Sequence, residues 1–348
     1  MKTTTKKEQA LNKLTNIQIK EFIMFKFRSG KNPSADEVDN TSRNYITVMS
    51  TLEDFLRESK GMTNEELRDY SFFNLNFNDM SNYSYYLRTA KNNSASTHNQ
   101  RLTVVGIFLS YLIDRYEDEL TDVEEARIRR VKRKINKLEQ TEPTVEKPFF
   151  TNEQMAQLHK YILTSPGVRN RKRLLAMFLL YRDTADRKDE VRNFVLSDIH
   201  FSDIEGHSYA VTPCTNKTLT EKKHFLKEDT VMALKEYLDE RNPKNPNEQS
   251  IFLSNKRIKI STSSVYRMFK GLYINAGFGY IDEEGNKKTK YVVHSLRHSS
   301  ITETCRIQGI HAAKIKAGHS SVNMTQNYSH TTDADRIKTT SLAFEYTL

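Results

Sequence analysis

The stretch from Arg127 to Pro148 divides this chain and constrains what can form on either side of it. It begins with seven cations in eleven positions and no acid (Arg127, Arg129, Arg130, Lys132, Arg133, Lys134, Lys137). It ends in a Thr/Glu-rich segment broken by Pro143 and Pro148. Proline removes backbone donors and restricts its predecessor, so no single element runs through that end. A chain of 348 residues is long enough for two cores. The break assigns them to 15–140 and 149–332, with 141–148 as the linker.

Upstream, apolar residues recur at helical spacing. Tyr45, Val48, Met49, Leu52, Phe55 and Leu56 form one stripe, with Asn40 or Thr41 placed to cap the first turn. Val104, Val105, Phe108, Leu109, Leu112 and Tyr116 repeat the pattern after the polar stretch 92–97. Met80, Tyr83 and Leu87 mark a shorter helix between them. Such helices bury their stripes against one another as a small bundle. Residues 1–14 read as a basic tail. The cations of 127–137 read either as a solvated helix face or as a helix that follows phosphates.

Downstream, Thr151-Asn152-Glu153-Gln154 is a capping-box pattern, and a long apolar helix follows over 171–182. Residues 207–214 and 222–227 read as two strands joined by a polar turn around Lys217. Ile251-Phe252-Leu253 reads as a short strand. Gly277, Gly279 and Gly285 interrupt the chain before a helix that starts near His294. The expected class is therefore mostly α, a helical bundle followed by an α+β domain with a small antiparallel sheet.

A net charge of +10 favours a polyanionic partner. Cys214 and Cys305 lack ligand spacing, which argues against a zinc site or a disulfide framework and fits a reducing cytoplasm. No apolar run reaches the roughly 18 residues of a membrane span, and the N-terminus lacks a signal-peptide core. The expected location is cytoplasmic, with no membrane partner.

Chemistry collects towards the C-terminus. His294-Ser295-Leu296-Arg297-His298 puts His294 and Arg297 on one helix face. Gly318-His319-Ser320-Ser321 then precedes Thr325-Gln326-Asn327-Tyr328-Ser329-His330. With 17 tyrosines in the chain, any one of them is by default a packing residue. Tyr328 is set apart by the cations upstream. Arg187 follows the long apolar helix, and Lys217 sits at the hairpin. Taken alone, Arg187 would be a surface ion-pair former, because Asp186, Asp189 and Glu190 surround it.

In this order the boxes resemble the tyrosine recombinase (phage integrase) family. HSLRHSS (294–300) and AGHSSVNMTQNYSH (317–330) are close matches to its final boxes. TADRKDEVRNFVLSDI (184–199) is a looser match to its first arginine box. The similarity covers 149–335 well and the helical region 40–120 more weakly. It implies a SAM-like core-binding bundle and a catalytic domain closing as a C-shaped clamp on double-stranded DNA with inverted-repeat core sites. It also implies a homotetramer on two sites, exchange through a Holliday junction, and docking of 333–348 onto a neighbouring protomer. A mobile element, or inversion or resolution, would be the setting, and DNA-bending accessory factors are possible partners. With too few residues ahead of 15 for a folded module, no separate arm-site domain is expected.

The roles implied are those a phosphodiester displacement needs. Tyr328 would be the nucleophile, its phenol (pKa near 10 when free) activated by cations. Arg187 and Arg297 would each present a planar donor fork to the non-bridging oxygens. Lys217 would protonate the leaving 5′-oxygen, with Lys222 and Lys223 as alternatives on the same hairpin. His294 would assist proton transfer, His319 would donate to the phosphate, and Glu190 would orient Arg187. Arg127, Arg129, Arg130, Lys132, Arg133 and Lys134 are the candidate DNA contacts. No metal or other cofactor is called for. Two departures stand out: Ala185-Asp186 occupies the place of a usual glycine and apolar residue, and Ala317 that of a usual leucine. Asp186 could pair with a basic neighbour or weaken the arginine clamp. A type IB topoisomerase-like strand transferase and a non-catalytic regulator with the same fold are the competing readings.

Overall fold

The structure is a computed structural model and describes residues 4–30, 36–135, 139, 141, 147–204, 206–212, 221–319, 321, 322 and 325. The chain separates into two compact units, Met1–Thr144 and Val145–Leu348. Among the described residues no helix is long and apolar enough to cross a membrane.

Among the described residues the regular elements of the first unit are helices: α1 (Lys6–Leu11), α2 (Ile17–Arg28), α3 (Asn40–Lys60), α4 (Asn64–Asp69), α5 (Phe77–Thr89), α6 (Ala95–Arg115) and α7 (Asp122–Ile135). The expected stripes form its core. Val48, Met49, Leu52, Phe55 and Leu56 of α3 pack with Met80, Tyr83 and Leu87 of α5 and Val105, Phe108, Leu109 and Leu112 of α6. Burial of this many large apolar side chains is the main stabilising term, at about 1.5–3 kcal/mol each. The cap of α3 is neither Asn40 nor Thr41 but Asp39, which accepts from the backbone N–H of Thr41 (2.8 Å) and Ser42 (2.9 Å). A carboxylate also complements the positive end of the helix.

The segment read as a basic tail is folded from Thr5 onward. Thr5 and Glu8 form a capping box on α1. Leu14 is buried, and α2 contributes Ile19, Phe22, Ile23 and Phe27 to the core. Glu53 ties this start to α3 by accepting from the backbone of Thr15 and Asn16, both at 2.8 Å.

The second unit comprises α8 (Asn152–Thr164), α9 (Arg171–Thr184), α10 (Lys188–Asn193), β1 (Ile199–Ile204), β2 (His207–Thr212), β3 (Lys222–Phe225), α11 (Glu228–Glu240), α12 (Thr262–Tyr273), β4 (Tyr280–Ile281), β5 (Lys287–Lys288) and α13 (Val293–Ala317). Thr151 and Gln154 form the expected capping box on α8. The centre is α9, buried nearly all round through Ala176, Met177, Phe178, Leu179, Leu180 and Tyr181. Strands β1, β2 and β3 form an antiparallel meander. Its first strand was not expected, and its ladder is interrupted between His200 and Ile204.

Two readings need correction. Ile251-Phe252-Leu253 is not a strand. The two apolar side chains at 251 and 252 are fully buried, but the flanks make only isolated bridges, Val195 with Ser250 and Leu253 with Lys259. The glycine-broken segment ahead of His294 contains a π-turn (Ile274–Phe278) and the small β4–β5 hairpin, with Gly277 (φ 94°) and Gly285 (φ 80°) in left-handed backbone. Helix α13 bends at Gly309 (φ 83°) and ends on left-handed Gly318.

Candidate active site

The site is built where α9 ends. Ala185 caps α9 in left-handed backbone (φ 51°, ψ 25°), fully buried. That conformation costs an alanine about 1 kcal/mol and a glycine nothing, which explains why glycine suits this place. The turn frees the Ala185 carbonyl from the helix, and it accepts from Arg297 Nη1 at 2.5 Å. The next residue but one is Arg187, at the start of α10. Its backbone N–H donates to Glu190 Oε2 (2.7 Å) and its Nη1 to Glu190 Oε1 (2.9 Å). One buried carboxylate therefore holds both ends of the arginine, whose own side chain stays about a third exposed (34%).

Arg297 sits on the first turns of α13 and is 2% exposed. Besides Ala185, its Nη2 donates to the Ala317 carbonyl (2.8 Å) and meets His319 Nε2 at 3.1 Å. A guanidinium has no acceptor, so His319 accepts there and its Nδ1 carries the proton, facing Thr325 Oγ1 at 2.9 Å. In this arrangement His319 Nε2 is thus turned to Arg297. His319 follows Gly318 in non-helical backbone. His294 stacks edge-on against His298, with ring centroids 4.7 Å apart.

Burial holds both His294 and His319 down to about 4, helped by nearby cations: Arg297, Lys147 and Arg187 at His294, and Arg297, Arg187 and Lys222 at His319. Both imidazoles are neutral at neutral pH and surrounded by fixed positive charge. A polyanion entering here would be attracted and would raise both values.

Asp186 has a basic partner. It is 1% exposed, and its Oδ1 takes Lys222 Nζ at 2.5 Å while Thr212 Oγ1 donates to Oδ2. Burial pushes its carboxyl up, but His224 and Lys222 outweigh that and hold it at about 2. Lys223, on the opposite face of β3, is exposed and lies 4.6 Å over the Tyr209 ring. Lys217 and Tyr328 lie outside the described residues.

The structure therefore brings Arg187, Glu190, Arg297, His294 and His319 into one neighbourhood. Reading the sequence left Asp186 undecided and missed Thr212 and His224. The signal available was the acid next to Arg187, which a buried position obliges to find a cation.

The part of the basic run within the described residues, Arg127 to Lys134, lies in the first unit, on α7, and Lys137 falls outside the described residues. Helix α7 turns Ile128, Val131 and Ile135 inward, and Arg129, Arg130, Lys132 and Arg133 are exposed. Arg127 reaches the Phe73 carbonyl (3.4 Å), Arg129 pairs with Glu125 (2.6 Å), and Lys134 lies 5.2 Å over Phe77.

The model of the phage integrase family matches residues 148–335, more than half of the chain. The chain belongs to the phage integrase family, the tyrosine recombinases. Solved structures share its fold at low sequence identity. The XerH site-specific recombinase, bound to a palindromic difH substrate in a post-cleavage complex, is 15% identical over 99% of both chains (TM-score 0.71). The Tn1549 transposon integrase with transposon right-end DNA is 17% identical over 94% of this chain and 99% of that one (TM-score 0.64). The lambda integrase dimer on a core site is 14% identical over 89% and 75% (TM-score 0.60). No curated protein matches the chain in the sequence search.

Proposed function

We propose that this chain is a site-specific DNA recombinase that cuts and rejoins strands through a 3′-phosphotyrosyl link at Tyr328. The observation that carries the reading is the joining of the first arginine box to the last. Arg297 is bonded both to Ala185, two residues before Arg187, and to His319, nine residues before Tyr328. Two forked donors and two neutral imidazoles around one spot suit a phosphodiester and its developing charge.

In the reaction the Tyr328 phenolic oxygen attacks phosphorus and gives up its proton, with His294 as the neighbouring acceptor. The P–O5′ bond breaks, and the 5′-oxygen takes a proton from Lys217. Arg187 and Arg297 hold the non-bridging oxygens throughout. Attack by a 5′-hydroxyl from another strand reverses these steps and reseals the DNA. Exposed cations of α7 (Arg129, Arg130, Lys132, Arg133) add phosphate contacts that carry no sequence information. The partner is duplex DNA with inverted-repeat sites, and the assembly is a tetramer that resolves a Holliday junction for a mobile element.

The test mixes full-length protein with a nicked duplex in the absence of divalent metal and looks for a covalent adduct on a denaturing gel. Wild type forms it; Tyr328→Phe binds DNA and does not. An adduct from Tyr328→Phe would overturn the assignment of the nucleophile. Relaxation of supercoils without site preference would favour the topoisomerase-like reading instead.

A further inference from the structure

Strand β3 carries a lysine where a buried strand position calls for an apolar side chain. The register sets Thr212 of β2 opposite Lys222, and both reach Asp186. His224, two residues on and facing the same way, brings Nε2 to 3.5 Å from Asp186 Oδ1 and has no hydrogen-bond partner there. The Lys222 ammonium also lies 3.4 Å from Glu190 Oε2, while the other oxygen of Glu190 grips Arg187. Its stem rests against Gly318, where a Cβ would come within 2.6 Å of Lys222 Cδ. One side chain thus touches the segments that bear Arg187, Glu190 and His319.

A buried ion pair is weak evidence for stability, because apolar residues of similar volume do as well or better. What this pair does supply is geometry. We propose that Asp186 and Lys222 are a positioning pair: they fix Glu190, and through it the aim of Arg187 at the scissile phosphate. Lys222 is accordingly not the proton donor to the leaving oxygen. Its ammonium is turned inward, 2.5 Å from Asp186 Oδ1 and 3.4 Å from Glu190 Oε2, on a side chain only 8% exposed, so it does not face an entering strand. This inference rests on the proposed function, in which Arg187 acts on phosphate.

The test uses full-length protein and a nicked duplex selected from a randomised pool by covalent capture on the wild type. Asp186→Asn and Lys222→Met each leave one charge unmatched, and the double variant leaves none. Each single variant should slow single-turnover adduct formation on the order of 10–100-fold with DNA affinity nearly unchanged, as small misplacements of catalytic groups do. The double variant should recover most of that loss, which a simple loss of stability would not produce. A substrate with sulfur at the bridging 5′ position leaves without a proton. It should not restore Lys222→Met. Restoration by the sulfur substrate would make Lys222 the proton donor and overturn the proposal, as would wild-type rates in both single variants. So would a double variant no faster than the slower single one. If Lys222→Met does not fold, Asp186→Asn and the double variant decide the question. Absence of any wild-type adduct would overturn the proposed function, and the role of the pair with it.

Discussion

Glu53 in the helical unit and Asp186 in the second unit are both buried carboxylates, and they are satisfied in opposite ways. Glu53 accepts from backbone N–H groups of Thr15 and Asn16, with Arg57 farther off at 3.6 Å. Those donors are neutral, and burial pushes the Glu53 carboxyl up. Asp186 faces Lys222 and His224, and their influence overrides burial to hold it at about 2. A backbone donor serves one joint in the fold. A cation drawn into a cluster, as Arg187 is by Glu190, leaves a field that a second anion can share. Of these two carboxylates, Asp186 is matched chiefly by side-chain cations beside the candidate site, and Glu53 chiefly by backbone donors at a joint between helices.

The largest effect expected from this contrast is at Arg297. Arg297→Lys keeps the charge but cannot reproduce the fork to Ala185 and Ala317. Adduct formation should fall on the order of 10²–10³-fold in a single-turnover assay, while DNA binding changes little. A rate within a few-fold of wild type would erase the distinction between the two units. In the helical unit, Glu53→Gln should lower unfolding free energy by about 2 kcal/mol in denaturant titration and leave adduct chemistry intact below the transition. A slowed chemical step in that folded variant would show that Glu53 is more than a joint.

Acid should separate the units next. His294 and His319 have folded values near 4, below the ordinary imidazole value of about 6.5. The unfolded chain therefore binds more protons between those limits, and the second unit loses stability as pH falls from about 6.5 to 4. After allowance for solvent screening the loss is on the order of 2 kcal/mol, readable as a falling melting temperature. Replacing both histidines by asparagine should flatten that slope. Asp186 adds a further loss as pH falls from the ordinary carboxylate value of about 3.9 towards 2. Glu53, with its raised value, has the opposite sign, because protonation relieves a buried charge. The smallest effect is at Ala185→Gly. Relief of the left-handed backbone, about 1 kcal/mol, is offset by glycine's flexibility and a lost buried methyl, so the melting temperature should barely move. A large drop would mean that the methyl's packing against Ile301, Ala313 and Ala317 dominates.

The helical stripes and the α8 capping box were legible in the sequence, because each is a short pattern with one physical reading, whereas the arginine and histidine boxes stood out only in their order, through the family they resemble. The β3 cluster was not. Strand alternation sorts apolar side chains inward, yet here Lys222 and His224 point in while Phe225 is 56% exposed. Read by hydropathy, that strand faces the wrong way. Only the position of Asp186 in space supplies the reason. Strand β1 was hidden for a related cause, since its ladder breaks around Ser202, a residue in left-handed backbone.

In the proposed reaction the cations gathered around Arg297 serve one particular tyrosine, Tyr328. The most direct measurement is to trap the wild-type protein on nicked DNA, digest both components, and find the nucleotide-bearing peptide by mass spectrometry. Cleavage after Lys316 and Arg336 releases residues 317–336, in which Tyr328 is the sole tyrosine. The account predicts a nucleotide joined through its 3′-phosphate to that peptide, at Tyr328. A nucleotide on any other peptide, or one joined through its 5′-phosphate, would contradict it.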